Sequence, residues 1–169
     1  MDIELQPPTG FTGLTLGLPE DETARQAEAF GPVKISRGAP VQAGLVTLPG
    51  LAKMVVGSYD FDFVLTFAKD GAADTVELWR PPDPAYDVTV RFEGIDVFRT
   101  PWTEVLTALE DRGHRIVRED ELFAYAPDLT LGFNRDTAHE VPKDADDLPL
   151  YFESILVAEP GYYDGPGGF

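Results

Sequence analysis

Between Val88 and Arg118 the spacing of hydrophobic and polar positions changes, and the change marks the first readable unit of the chain. Val88-Thr89-Val90-Arg91-Phe92-Glu93-Gly94-Ile95-Asp96-Val97-Phe98 alternates at period two, which predicts one or two strands around Gly94. Thr100-Pro101 then sets a hydroxyl at a helix N-cap and a proline at the first helical position. Trp102, Val105, Leu106 and Leu109 follow at i, i+3, i+4 and i+7, an apolar stripe that must be covered by other elements. Gly113 supplies a C-terminal stop, since a residue with no Cβ adopts the left-handed turn that ends a helix.

A fainter version of this unit precedes it. Pro19 to Gly31 has the same spacing as Pro101 to Gly113, with Glu22 and Glu104 each three residues after the proline. Upstream, Phe11 to Leu16 resembles Phe92 to Val97; downstream, Val64 to Asp70 resembles Leu129 to Asp136 when Phe67 is set on Phe133. The offset of roughly 82 residues is too long for a solenoid repeat. It suggests two copies of a strand–helix–antiparallel-strands unit, about residues 10–80 and 88–158. The fold class expected is therefore α+β, one domain over 1–169, with the helices packed on antiparallel sheet.

Elsewhere the pattern is read piece by piece. Residues 1–9 are an extended lead-in, because Pro7-Pro8 forbids helix. Glu20, Asp21 and Glu22 occupy the first turn of the first helix, where the positive end of its dipole favours them. Residues 31–60 are broken by Gly and Pro into short apolar pieces, an insertion of extra strands or a long loop. Phe61, Phe63, Leu65 and Phe67 share one side of a strand, Lys69-Asp70-Gly71 turns it, and Thr75 to Trp79 returns. Arg80-Pro81-Pro82-Asp83-Pro84 links the two copies. Arg115 to Val117, Leu122 to Ala126, Leu129 to Phe133 and Tyr151 to Ala158 read as strands, and Asp136 to Pro149 as a polar loop. Residues 159–169 form a tail of glycine and aromatics, either a docked cover or a disordered end.

Composition narrows the function classes. The chain has 169 residues and no cysteine, so it forms no disulfide and offers no thiol nucleophile or thiolate metal site. No apolar run reaches the length of a membrane span, and the acidic, proline-bearing start does not read as a signal peptide. A soluble cytoplasmic protein is the expectation. The net charge of −17 argues against a nucleic-acid backbone as partner, which requires clustered Lys and Arg. Of the 13 bases and 30 acids, five of each fall within 88–118, leaving eight bases and 25 acids to carry all of the imbalance.

Candidate chemistry is sparse. His114 and His139 are far apart and lack any zinc-binding spacing, so no metal is expected. Asp144, Asp146 and Asp147 lack the glycine and distal glutamate of a calcium loop. Gly57-Ser58 and Glu153-Ser154 lack the second glycine of a nucleophile elbow, and no phosphate-binding glycine loop is present, so no cofactor is implied. Glu77 and Glu153 occupy matching places in the two copies and would form a shared-proton carboxylate pair if a twofold axis joined them. The bland reading sends both to solvent while Val76, Leu78, Phe152 and Leu156 fill the core. Arg112, His114, Arg115 and Arg118 compensate a helix end and pair with acids such as Glu119 and Glu121.

The functional reading favoured is a non-enzymatic, acidic interaction protein of the inhibitor or immunity type. It would bind a basic partner protein through Glu20, Asp21, Asp144, Asp146 and Asp147. The alternative is a small-molecule binder or hydrolytic enzyme with a cleft between the copies at Glu77 and Glu153, with His114 as a candidate base. A third reading is a structural subunit of a homodimer.

Overall fold

The structure, a computed structural model, describes residues 1–43, 46–48, 50–57, 61–83 and 85–164. Ser58, Pro84, part of the 31–60 insertion and tail residues 165–169 lie outside the described residues. The described chain contains two helices and a large antiparallel sheet, an α+β arrangement in which strand predominates.

In chain order the elements are β1 (Asp2–Glu4), β2 (Gly10–Phe11), β3 (Leu14–Thr15), α1 (Glu20–Ala27), β4 (Val33–Arg37), β5 (Val41–Ala43), β6 (Val46–Leu48), β7 (Ala52–Gly57), β8 (Asp62–Phe67) and β9 (Ala73–Trp79). They continue as β10 (Thr89–Phe92), β11 (Ile95–Asp96), α2 (Trp102–Asp111), β12 (Val117–Arg118), β13 (Phe123–Ala126), β14 (Leu131–Asn134) and β15 (Ser154–Ala158). Eight of the strands form one sheet in the order β12-β13-β14-β15-β9-β8-β7-β4. Moving outward from the central β9·β15 pair, each side runs backwards through four strands of chain. Strands β2 and β3 form a two-residue-per-strand hairpin before α1, and β10 and β11 pair antiparallel before α2.

Alternation explains which face of the sheet meets the core. Phe63, Leu65 and Phe67 on β8, Val76 and Leu78 on β9, and Ile155 and Val157 on β15 are almost wholly buried on one face. Met54 and Val56 extend that face on β7, and Leu131 and Phe133 extend it on β14. The stripe of α2, Trp102, Val105, Leu106 and Leu109, joins the same cluster of buried residues. Trp102 meets Phe152 edge-on at 6.3 Å, and Phe152 lies 5.1 Å from Phe133. No helix among the described residues is long and apolar enough to cross a membrane.

Several local expectations need correction. Thr100 does not cap α2: Pro101, with φ −52°, is the residue outside the first turn, as Pro19, with φ −58°, is for α1, and neither helix start has a side-chain cap. A carbonyl from the distant loop does that work, because the Trp102 amide donates to Leu150 O at 2.9 Å. The first helix stops at Ala27, and Phe30 turns out of it to pack edge-on against Phe11 and Phe63. The lead-in holds a strand, β1, that runs parallel to β10, a pairing with a partner so remote that local pattern carries no trace of it. Leu156 lies on the same side as Glu77, directly opposite it and half-buried, rather than in the core.

Other features match the pattern closely. Gly113 has φ +94°, and the His114 amide closes back on Leu109 O at 3.1 Å, the bond that satisfies an otherwise orphaned helix carbonyl. In the described part of the tail, Tyr163 stacks on Tyr125 at 4.7 Å, over the face of the sheet opposite the core. Gly132 makes room for it, since a Cβ there would run into the Tyr163 hydroxyl.

Leu106 is 1% exposed, so Leu106→Ala should destabilise the fold by about 2–5 kcal/mol, through lost burial and the cavity left behind. Chemical denaturation at constant slope measures this, and a change below about 1 kcal/mol would contradict a close-packed site.

Candidate functional groove

Because Val76 and Leu78 face the core, Thr75, Glu77 and Trp79 project from the outer face of β9. Across that face Val64 lies opposite Glu77, Val55 opposite Val64, and Lys34 opposite Val55. This half of the outer face is the floor of an open groove of about 1520 Å³. Its walls come from several segments: the Arg80-Pro81-Pro82 strip, Phe98-Arg99, the loop His139–Pro142, and Tyr151 with Glu153. Proline shapes the first wall. The ladder ends with the Arg80 amide on Glu153 O at 2.8 Å, and Pro81 and Pro82 have no N–H with which to continue it.

The charged groups of the groove differ in how they are engaged. Arg80 pairs with Glu153 at 3.1 Å, both largely shielded, while the buried Arg80 Nε has no hydrogen-bond partner among the described residues. Arg99 donates to Asp96, to the Thr89 hydroxyl and to Tyr86 O. Asp62 is different. It opens into the groove, no described basic side chain forms an ion pair with it, and partial burial alone raises its carboxyl above the usual aspartate range.

The residues singled out by sequence are placed as follows. Glu77 accepts a hydrogen bond from the Ser154 hydroxyl at 2.6 Å and stands opposite Leu156, whereas Glu153 is held by Arg80. They fall three residues out of register across β9·β15, each with its own partner, and so do not form the carboxylate pair that a twofold axis would have made. His114 lies between Asp128 (3.1 Å) and Glu93 (3.4 Å) beyond the end of α2, and it does not line the groove. Arg118 grips Glu110 through two bonds, 2.6 and 2.9 Å, instead of Glu119 or Glu121, and Arg112 pairs with Glu93.

The five acids proposed for a partner are divided between two places. Glu20 pairs with Arg37 of β4 at 2.8 Å, and Asp21 with Arg25 at 3.5 Å. Asp144 pairs at 2.7 Å with Arg135, which directly follows β14, and Asp147 pairs with Lys143 at 2.9 Å. Asp146 is exposed beside them. Strands β4 and β14 are five steps apart in the sheet, roughly 24 Å at the usual strand spacing. Asp144 is also committed internally. Its carboxylate accepts from Arg135 and from the amides of Asp146 and Leu148, and the Arg135 bond, followed by the Leu148 amide, holds its carboxyl below the ordinary range. Arg135, 2% exposed, lies 3.6 Å over the Trp102 ring.

Among the described residues no three of His, Asp and Glu converge as a metal site. Comparison of the chain with protein families, with curated proteins and with solved structures found no match. The groove was only partly visible in sequence: Trp79 stands on the outward phase of its strand, an unusual place for a large aromatic, but nothing local marks Asp62 as its neighbour.

The two shifted aspartates should respond oppositely to pH. Asp62 has a raised carboxyl in the folded state, so its charge opposes folding above the unfolded pKa and is silent below it. Asp62→Asn should therefore raise Tm modestly at pH 7 and leave it unchanged at about pH 3. Asp144 has a lowered carboxyl, so it supports the fold above the unfolded pKa and loses that support as pH falls through the folded one. Asp144→Asn should lower Tm at pH 7, whereas Asp146→Asn at the neighbouring exposed position should not. Thermal melts of the three variants at both pH values check each sign.

Proposed function

We propose that this chain is a non-enzymatic interaction protein, of inhibitor or immunity type, that seats a segment of a basic partner protein in the groove. The observation that carries the reading is the combination of an aromatic and aliphatic floor with an acid that no described basic side chain pairs, in a chain of net charge −17. The volume of about 1520 Å³ exceeds the roughly 300–1000 Å³ typical of small-ligand pockets and suits an extended polypeptide segment. Glu77 on Ser154 and Glu153 on Arg80 are engaged separately, which supports this reading over a hydrolytic cleft. Acids outside the groove, among them Glu20, Asp21, Asp146 and Asp147, would steer the partner rather than grip it.

A duplicated origin belongs to the same proposal. Two copies, about 10–80 and 88–158, account for a hairpin, a helix and four strands of the large sheet occurring twice, with β5 and β6 inserted as an extra hairpin in the first, and for the mirrored strand order. In this reading Phe63↔Leu78 and Leu65↔Val76 correspond to Leu131↔Val157 and Phe133↔Ile155. Leu65, not Phe67, then matches Phe133, and Leu156 is the counterpart of Glu77. The outer face of the second copy is covered by Tyr163 of the tail, and that of the first is the groove floor.

Selecting a random displayed-peptide library on the immobilised chain tests the function. Sequences rich in Lys and Arg should be enriched. Their affinity should fall at least tenfold, about 1.4 kcal/mol, on Trp79→Ala, and should weaken as salt approaches about 0.15 M. No enrichment, or enriched peptides that bind the variant equally, would remove the groove as the binding site.

A further inference from the structure

Asp62 and Trp79 both line the groove. The β8·β9 ladder ends at Phe63↔Leu78, and each strand runs one residue further, to Asp62 and to Trp79, so continuing the register by one step brings the two toward each other on the outer face. On the other side of Asp62 the opposing residue of β7 is Gly57. It has φ +134°, and a Cβ there would come within 2.9 Å of the Asp62 Cβ and collide with Phe61 O. The β7 backbone therefore lies close against the acid, and Gly57 itself puts no side chain between Asp62 and the groove. The groove's own cations are placed elsewhere: Arg80 on Glu153, Arg99 on Asp96, and Lys34 two strands away on β4.

The molecule contains a filled version of the same constellation. At the end of β14 the Arg135 guanidinium lies 3.6 Å over the Trp102 ring and bonds the Asp144 carboxylate at 2.7 Å. An indole face and a carboxylate together fit a guanidinium better than any other side chain, because the planar cation can stack on one while it donates in-plane to the other. At Trp79 and Asp62 the indole and the carboxylate are both present, and no arginine of the described chain completes them.

We infer that Asp62 and Trp79 form a seat for one guanidinium group, and that the basic partner enters the groove through an arginine. This rests on the groove being the partner site. The seat makes arginine, and not basic charge in general, the recognised feature. It places the strongest single contact of the interface at the Trp79 end of the groove floor.

The test uses groove-binding peptides from the library selection, each resynthesised with its arginines replaced one at a time by citrulline, the neutral isostere, or by lysine. Titration is followed by the indole N–H resonance of Trp79. One arginine in each peptide should lose at least tenfold in affinity as citrulline and a smaller factor as lysine. Asp62→Asn, melting at or above the wild-type temperature, should abolish the difference between arginine and citrulline. Peptides that bind through Trp79 but are indifferent to citrulline, or that keep their arginine preference in Asp62→Asn, would overturn the seat and leave the groove reading intact. Free arginine binding as tightly as the peptides would overturn it too, by assigning the seat to a small molecule. Failure of the library to yield any groove binder would remove the groove reading itself, and the seat with it.

Discussion

The antiparallel pairing of β9 with β15 is the interaction on which the rest depends. Val76, Leu78, Ile155 and Val157 are all completely buried across it, although the two strands are separated by most of the second half of the sequence. Without it the eight-stranded sheet becomes two four-stranded pieces, each with an exposed hydrophobic edge strand. The pairing also builds the groove, because its ladder runs on to Arg80 and Glu153 before the prolines break it. Closing so remote a pairing costs loop entropy early, and such topologies fold slowly compared with helical bundles.

The parts of this fold that could be read from sequence are those governed by local periodicity. The α2 stripe, the Gly113 stop, the alternating β8 and the turn at Asp70-Gly71 each follow from residues within a few positions of one another. What escaped reading depends on distant partners. β1 has a single apolar residue, Ile3, and becomes a strand only because β10 is there to pair with it. The amide that begins α2 is satisfied by Leu150, nearly fifty positions on, and Arg118 finds Glu110 on the preceding helix instead of the acids that follow it. The groove was illegible for the same reason: its floor and walls come from segments spread between residues 32 and 153.

The charge imbalance also looks different in three dimensions. Every arginine except Arg115 lies within ion-pair distance of a carboxylate among the described residues. Arginine is thus largely consumed in tying segments together, Arg80 and Arg91 across long stretches of sequence and Arg112 and Arg135 across shorter ones. The excess acid that remains is not neutralised from within. Asp62 is one such acid: it lines the groove, and no basic side chain among the described residues forms an ion pair with it.

The parallel pairing of β1 with β10 has a consequence for the connection between the halves. Residues Asp2–Glu4 belong by sequence to the first half but hydrogen-bond to the second, and Asp2 and Arg91 add an ion pair at 3.0 Å. The halves are thus fastened at two separate seams, β1·β10 and β9·β15, neither of which is the covalent strip at Pro81–Asp83. That strip includes the exposed Pro82 and Asp83. A protease nick there would leave two fragments interlocked like clasped hands, separable by denaturant but not by the cut alone, and new chain termini could be opened at that point with the sheet left whole.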